Sequence, residues 1–208
     1  NDYNFEISKT AIDSLFINYS VDDPELRTIN DKLSKVIPFI NQMNMIDQQA
    51  DYELGLEYST RLVRNAEGNP QKADSILTAE ALYWSGRMFY KLDSLNAQDA
   101  AAYLKEALVY SYNEHLPAKV LLVKTRLYRK RNKLEALEIA TSLVNESPRN
   151  PDLRALRAFV YEYLLDYENS LKEYQQAISL KTTYPSVYCS KSNLEFKIGR
   201  YDKAIQKI

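Results

Sequence analysis

Residues 151–184 read PDLRALRAFVYEYLLDYENSLKEYQQAISLKTTY. Pro151 suits the first turn of a helix, where its missing N–H costs nothing. Leu153, Leu156, Val160 and Leu164 recur at three- and four-residue steps and form one apolar stripe. Asp166 breaks that run and marks a turn. A second helix then places Leu171, Tyr174, Ala177 and Ile178 on one face. Ala158, Ser170 and Ala177 are small, so two helix backbones can approach closely. The unit is a helical hairpin that cannot bury both apolar faces alone and must stack on copies of itself.

Copies are present. LDYENSLKEY (165–174) and GRYDKAIQKI (199–208) lie 34 residues apart, and Pro117, Pro151 and Pro185 keep the same beat. A fixed period of this length marks an array of stacked units. The copies are read as 79–116, 117–150, 151–184 and a partial 185–208. In the first, two extra residues fall in the turn DSLNAQD, where insertion is tolerated. In the second, Lys124 stands where Ala158 stands in the third, a departure at the position of closest helix approach. Ahead of them, 30–67 reads as a degenerate hairpin that caps the array, with Pro38 kinking or restarting its first helix. Residues 30–78 thus hold this hairpin and the start of a long helix. Residues 1–29 form an acidic segment, with a cap helix over 5–19.

The totals agree with an all-α chain. Only 4 glycines occur in 208 residues, against 17 tyrosines, which argues against phosphate-cradling loops and many tight hairpins. No run approaches the roughly 20 apolar residues that span a bilayer. Net charge is −1 overall but uneven, with −6 over residues 1–78 and +5 over 79–208. The uneven balance reads either as solvated faces or as a repeat region that prefers an acidic partner.

The pattern resembles the tetratricopeptide repeat, whose signature runs W-x2-L-G-x2-Y, then A-x3-F, then P. Leu82, Gly86 and Phe89 match its first helix in one copy. Ala158, Tyr161, Ser170 and Tyr174 match it in another. Leu127, Ala136, Ala140 and Pro148 match it in the copy between. Tyr188, Ser192, Ala204 and Ile208 match in the last, with Glu195 departing at the aromatic position. The resemblance implies a right-handed superhelix of stacked helix-turn-helix hairpins, about 11 helices in all. It also implies a concave groove, lined by the first helix of each copy, that binds peptides or partner helices. Transferred by repeat position, the groove carries Tyr83, Arg87, Tyr90 and Lys91 from the first copy. The second gives Leu121, Thr125, Tyr128 and Arg129. The third gives Phe159, Glu162 and Tyr163, and the last Asn193, Phe196 and Lys197. The set is aromatic and largely basic, and Tyr and Arg are residues that often dominate binding energy. Some members of the family clamp a C-terminal carboxylate with Lys and Asn at two positions of the first helix. Here those positions hold Tyr83 and Arg87, Leu121 and Thr125, or Ala155 and Phe159, so that specialisation is disfavoured.

No catalytic constellation is visible. His115 is the only histidine and Cys189 the only cysteine, too few for a zinc site. The two lie far apart in the array, and Cys189 is read as a buried structural residue. Phosphate loops, nucleophile elbows and dinucleotide turns are absent. KTRLYRKRNK (124–133) carries six basic residues in ten. It reads as helix-end charge, as a protein contact, or as a nucleic-acid contact. The expectation is a non-enzymatic interaction scaffold without cofactor or metal, whose partner is a protein or peptide with acidic and apolar side chains. Nucleic acid is disfavoured by the balanced charge, and terminal repeats offer a homodimer contact. The alternative is a sensory or regulatory module of a larger protein whose catalytic, signalling or DNA-binding domain lies beyond residue 208. The resemblance extends to bacterial, often exported, proteins. Asn1 in place of an initiator Met fits a removed leader or a trimmed chain. The reading leans to a periplasmic or lipoprotein-anchored location, with the cytoplasm as the alternative. The acidic start, with Asp22, Asp23 and Glu25, is expected to compete for the basic groove.

Overall fold

The computed structural model describes residues 24–68, 74–92, 97–128, 132–182 and 184–200. Among these the regular structure is helical: α1 Pro24–Gln48, α2 Tyr52–Glu67, α3 Ser75–Leu92, α4 Ala97–Tyr110, α5 Leu116–Leu127, α6 Lys133–Glu146, α7 Pro151–Tyr163, α8 Tyr167–Ser179 and α9 Pro185–Lys197. The expected 5–19 helix and the second helix of the last repeat lie outside the described residues. The chain divides into two compact units between Thr125 and Arg126, inside the stretch read as one array.

In the first unit α1 begins at Pro24, ahead of the 30–47 stretch. It buries Leu33, Val36, Phe39, Met43 and Ile46 at helical spacing. The helix does not restart at Pro38, which lies inside α1 on its exposed side. Beyond the end of α1, Ala50 turns the chain in the left-handed region at φ 57°, and Asp51 then caps α2 by accepting from the Leu54 N–H at 3.2 Å. Gly55 lets α2 lie close to its neighbours, since a Cβ there would sit 2.6 Å from Met88 Sδ. The Ser59 and Ser85 hydroxyls, both fully buried, hydrogen-bond at 2.9 Å and tie α2 to α3. Gly86 does the same for α3 and α4: a Cβ there would meet Leu104 Cγ at 2.8 Å and the Ala100 carbonyl at 3.0 Å.

The second unit contains the hairpin of residues 151–184. Asn150 caps α7 by accepting from the Asp152 N–H at 2.9 Å, with Pro151 in the first turn. Leu153, Leu156 and Val160 are buried, while Leu164 is half-buried as the residue that ends the helix. Leu165 turns the chain at φ 63°, and Asp166 caps α8 by accepting from the Asn169 N–H at 3.2 Å. Ala158 is fully buried, and its carbonyl accepts from the Ser170 hydroxyl at 2.9 Å. A side chain much larger than alanine has no room there. Ala158, Leu171, Tyr174, Ala177, Val187 and Leu194 form the core joining α7, α8 and α9. No helix among the described residues is long and apolar enough to cross a membrane.

Candidate functional site

The expected groove residues of the first unit gather along α3. Tyr83, Arg87, Tyr90 and Lys91 fall at three-, four- and one-residue steps, which keeps them on one side of the helix. Tyr83 is half-buried, with its ring 4.9 Å from that of His115 and 5.6 Å from that of Trp84. Arg87 reaches back to α1, where its Nη2 donates to Asp47 Oδ2 at 2.6 Å. Its guanidinium also lies 5.4 Å from the centre of the Trp84 ring. Burial pulls this group down, but the Asp47 hydrogen bond and the charges of Tyr83 and Asp47 outweigh it, so Arg87 stands above its ordinary value. Lys91 is exposed, with its ammonium 5.8 Å from the centre of the Tyr52 ring. Tyr90 is half-buried.

From α5 the expected contributors were Leu121 and Thr125. Both are buried, at 7% and 1% exposure, and the Thr125 hydroxyl turns back to the Leu122 carbonyl at 2.8 Å. They are packing residues. The residue that α5 does bring to the α3 cations is Lys124, which repeat matching passed over. Its side chain is exposed, yet its ammonium is held below the usual lysine value, first by desolvation and then by repulsion from Arg87 and Lys91. Three cations therefore share one neighbourhood, in which Asp47 is the carboxylate that pairs with Arg87. The signal for Lys124 was in the sequence, as the one repeat copy whose small position holds a lysine.

The second unit offers a different arrangement. Glu162 of α7 accepts from Lys197 of α9 at 2.8 Å, and the Tyr174 hydroxyl lies 3.5 Å from its other oxygen. Lys197 is raised by that hydrogen bond and by the Glu162 charge. Phe159 packs edge-on against Tyr163, with ring centres 4.9 Å apart. Phe159 and Phe196 are 37% and 63% exposed, and Asn193 is exposed. Tyr128 is 51% exposed, while Arg129 lies outside the described residues.

The basic run 124–133 is partly consumed within the unit. Arg126 pairs with Glu135 at 3.1 Å, and the Lys133 ammonium donates to the Tyr163 carbonyl at 2.7 Å. Lys133 thus serves a helix C-terminus, as the dipole favours, but that of α7 rather than of the preceding helix. Cys189 is exposed, against the expectation of burial, because α9 turns Val187 and Leu194 inward instead. His115 has a structural role. Its Nδ1 accepts from the Ala118 N–H at 3.1 Å and so starts α5, and its Nε2 lies 3.0 Å from buried Glu80 Oε1. A ring nitrogen that accepts from a backbone N–H carries no proton, so the imidazole proton is on Nε2 and is donated to Glu80. Among the described residues no cluster of His, Cys, Asp and Glu is arranged to hold a metal ion.

No family model and no curated protein matches the sequence. Solved structures do match. MamA (residues 41 to the end) from Desulfovibrio magneticus RS-1 superposes with a TM-score of 0.63 at 18% identity, over 83% of this chain and 90% of that one. TTC0263, described as a thermophilic TPR protein of Thermus thermophilus, gives 0.62 at 23% identity, over 82% and 86%. At such identities the likeness establishes the fold: an all-α array of the tetratricopeptide type.

Proposed function

We propose that this chain is a non-catalytic interaction scaffold, and that its first unit binds a protein or peptide segment carrying acidic and apolar side chains. The anchors are Arg87, Lys91 and Lys124, with Tyr83 and Tyr90 beside them. The observation that carries this reading is the gathering of Arg87, Lys91 and Lys124 in one neighbourhood where Asp47 pairs with Arg87, and the Lys124 ammonium, held down first by desolvation and then by the two like charges, agrees with it. A carboxylate placed there relieves repulsion that the free chain bears, and aromatic neighbours add apolar contact area. In the second unit Phe159, Tyr163, Asn193 and Phe196 present a less charged face, with Glu162 and Lys197 already neutralising one another. We read that face, with Tyr128, as one for apolar side chains.

The test is fluorescence anisotropy with a labelled 15-residue peptide of glutamate and phenylalanine, against a lysine-phenylalanine counterpart. The acidic peptide is expected to bind, and Lys91→Ala with Lys124→Ala to weaken it at least about tenfold. Lys197→Ala is expected to change affinity by less than about twofold, as a neutralised surface pair contributes little. Unaltered affinity in the double variant would overturn the reading.

A further inference from the structure

We propose that the first unit carries a second binding surface, an acid-rimmed cleft between α2 and α4 that takes a basic amphipathic helix of a partner protein. The cleft encloses about 570 Å³. Its floor is apolar, built from Leu56 and Val63 of α2, Phe89 of α3 and Tyr103 of α4. Phe89 and Tyr103 stack with ring centres 5.4 Å apart and planes within 19°. Both are half-buried, so this aromatic pair keeps a face open to a ligand.

The rim has one dominant sign. Glu53, Glu57 and Glu67 line it from α2 and Glu106 from α4. All four are exposed, and none forms an ion pair with another described residue. Arg64 is the single cation of the lining, and it turns along its own helix to the Thr60 hydroxyl at 3.4 Å. The Tyr103 phenol registers the surroundings: it stands above its ordinary value through burial first and the Glu67 charge next. The positions 53, 57, 60, 64 and 67 form a stripe along the whole of α2, about 21 Å at 1.5 Å per residue. A polar rim of that length above an apolar floor suits a helix of about four turns, with leucine-like anchors pressed on the aromatic pair at its middle and lysines or arginines over the glutamates.

Charge selects among occupants. Nucleic acid is repelled by this rim. Residues 1–23 of the chain carry five Asp/Glu against one Lys, so they share its sign. The site uses none of the residues assigned to acidic-segment binding, so either can fail alone.

The experiment uses the whole chain and two 17-residue amphipathic peptides, one of leucine and lysine and one of leucine and glutamate, followed by anisotropy. The leucine-lysine peptide is expected to bind and the leucine-glutamate peptide not to. Glu57→Lys with Glu106→Lys is expected to weaken binding at least about tenfold, and Tyr103→Ala, which leaves charge unchanged, about fivefold. Lys91→Ala with Lys124→Ala is expected to leave it unchanged. Asp31→Lys with Glu138→Lys repeats the change in net charge at residues that do not line the cleft and is expected to have little effect. Equal weakening by that control would reduce the attraction to net charge and overturn the site. So would undiminished binding to the Tyr103→Ala chain. Sedimentation of the free protein supplies a further check: a dimer that Glu57→Lys with Glu106→Lys dissociates would give the cleft to a second copy instead.

Discussion

Lys124 and Ala158 occupy the same place in the 34-residue pattern, and Gly86 holds it one copy earlier. Their surroundings differ in kind. Ala158 is fully buried under the Ser170 hydroxyl, and Gly86 lies where a Cβ would press on α4. Lys124 is exposed and set among cations. One position therefore serves packing in two copies and charge in a third. A repeat can give up its close contact at one station where neighbouring stations hold the fold, and the station released is free to contribute a binding group. Local departures from a pattern that holds elsewhere are where function is to be sought.

The sharpest way to break this comparison is to exchange the residues. Ala158→Lys buries an ammonium without a partner and is expected to cost more than about 4 kcal/mol, enough to abolish folding of the second unit. Lys124→Ala is expected to change stability by less than about 0.5 kcal/mol. Thermal melts by circular dichroism decide, and similar melting temperatures for the two variants would sink the contrast. Gly86→Ala comes next. The intruding Cβ forces Leu104 or the α4 backbone to shift, at an expected cost of about 1–3 kcal/mol in a chemical denaturation series.

A third test concerns Tyr174, in the same core as Ala158. Its hydroxyl is pushed up to about 12, first by burial and then by the Glu162 charge. A raised phenol stabilises the fold fully below its unfolded value of 10.0, and that contribution is lost as pH climbs from there to about 12. Tyr174→Phe is expected to delay alkaline unfolding by an amount on the order of 2 kcal/mol, read from denaturation midpoints across that range. A wild-type profile unchanged by the substitution would remove Tyr174 from the account.

The smallest effect is the most specific to Lys124. Its depressed ammonium gains its full charge on meeting a carboxylate, so binding an acidic peptide takes up protons in the alkaline range. Affinity is expected to be full at neutral pH and to fall as pH rises through the Lys124 value, below the usual lysine range. Lys124→Arg should flatten that decline, since a guanidinium stays charged. An identical alkaline profile for both chains would detach Lys124 from the site.

The hairpin of residues 151–184 was largely legible because its signals are local and redundant. Pro151, the stripe from Leu153 to Val160, the small residues Ala158 and Ser170 and the break at Asp166 all state the same structure. The turns were less so. Ala50, Leu165 and Lys181 adopt positive φ without being glycine, at 57°, 63° and 61°. Helix ends on both sides fix that geometry, and no residue type announces it. Pro38 alone did not announce that α1 continues through it, since a long buried stripe on both sides can hold a helix together across a missing N–H. Leu121 and Thr125 were transferred by repeat position, but position in a pattern does not specify depth of burial. The pairing of His115 with Glu80 joins residues 35 apart in the chain, which no local rule connects. The cleft between α2 and α4 was hidden because its glutamates read singly as solvated surface. Their common sign becomes meaningful only when two helices face one trough.

Trp84 is the only tryptophan in the chain, and the Arg87 guanidinium rests 5.4 Å from the centre of its ring. Its fluorescence therefore comes from one address, next to the cations assigned to acidic-segment binding. A bound carboxylate that draws Arg87 away from the indole alters the local field and so the emission wavelength or intensity. The protein thus carries its own optical probe, and titrations can be followed on the unlabelled chain, without a dye attached to either partner.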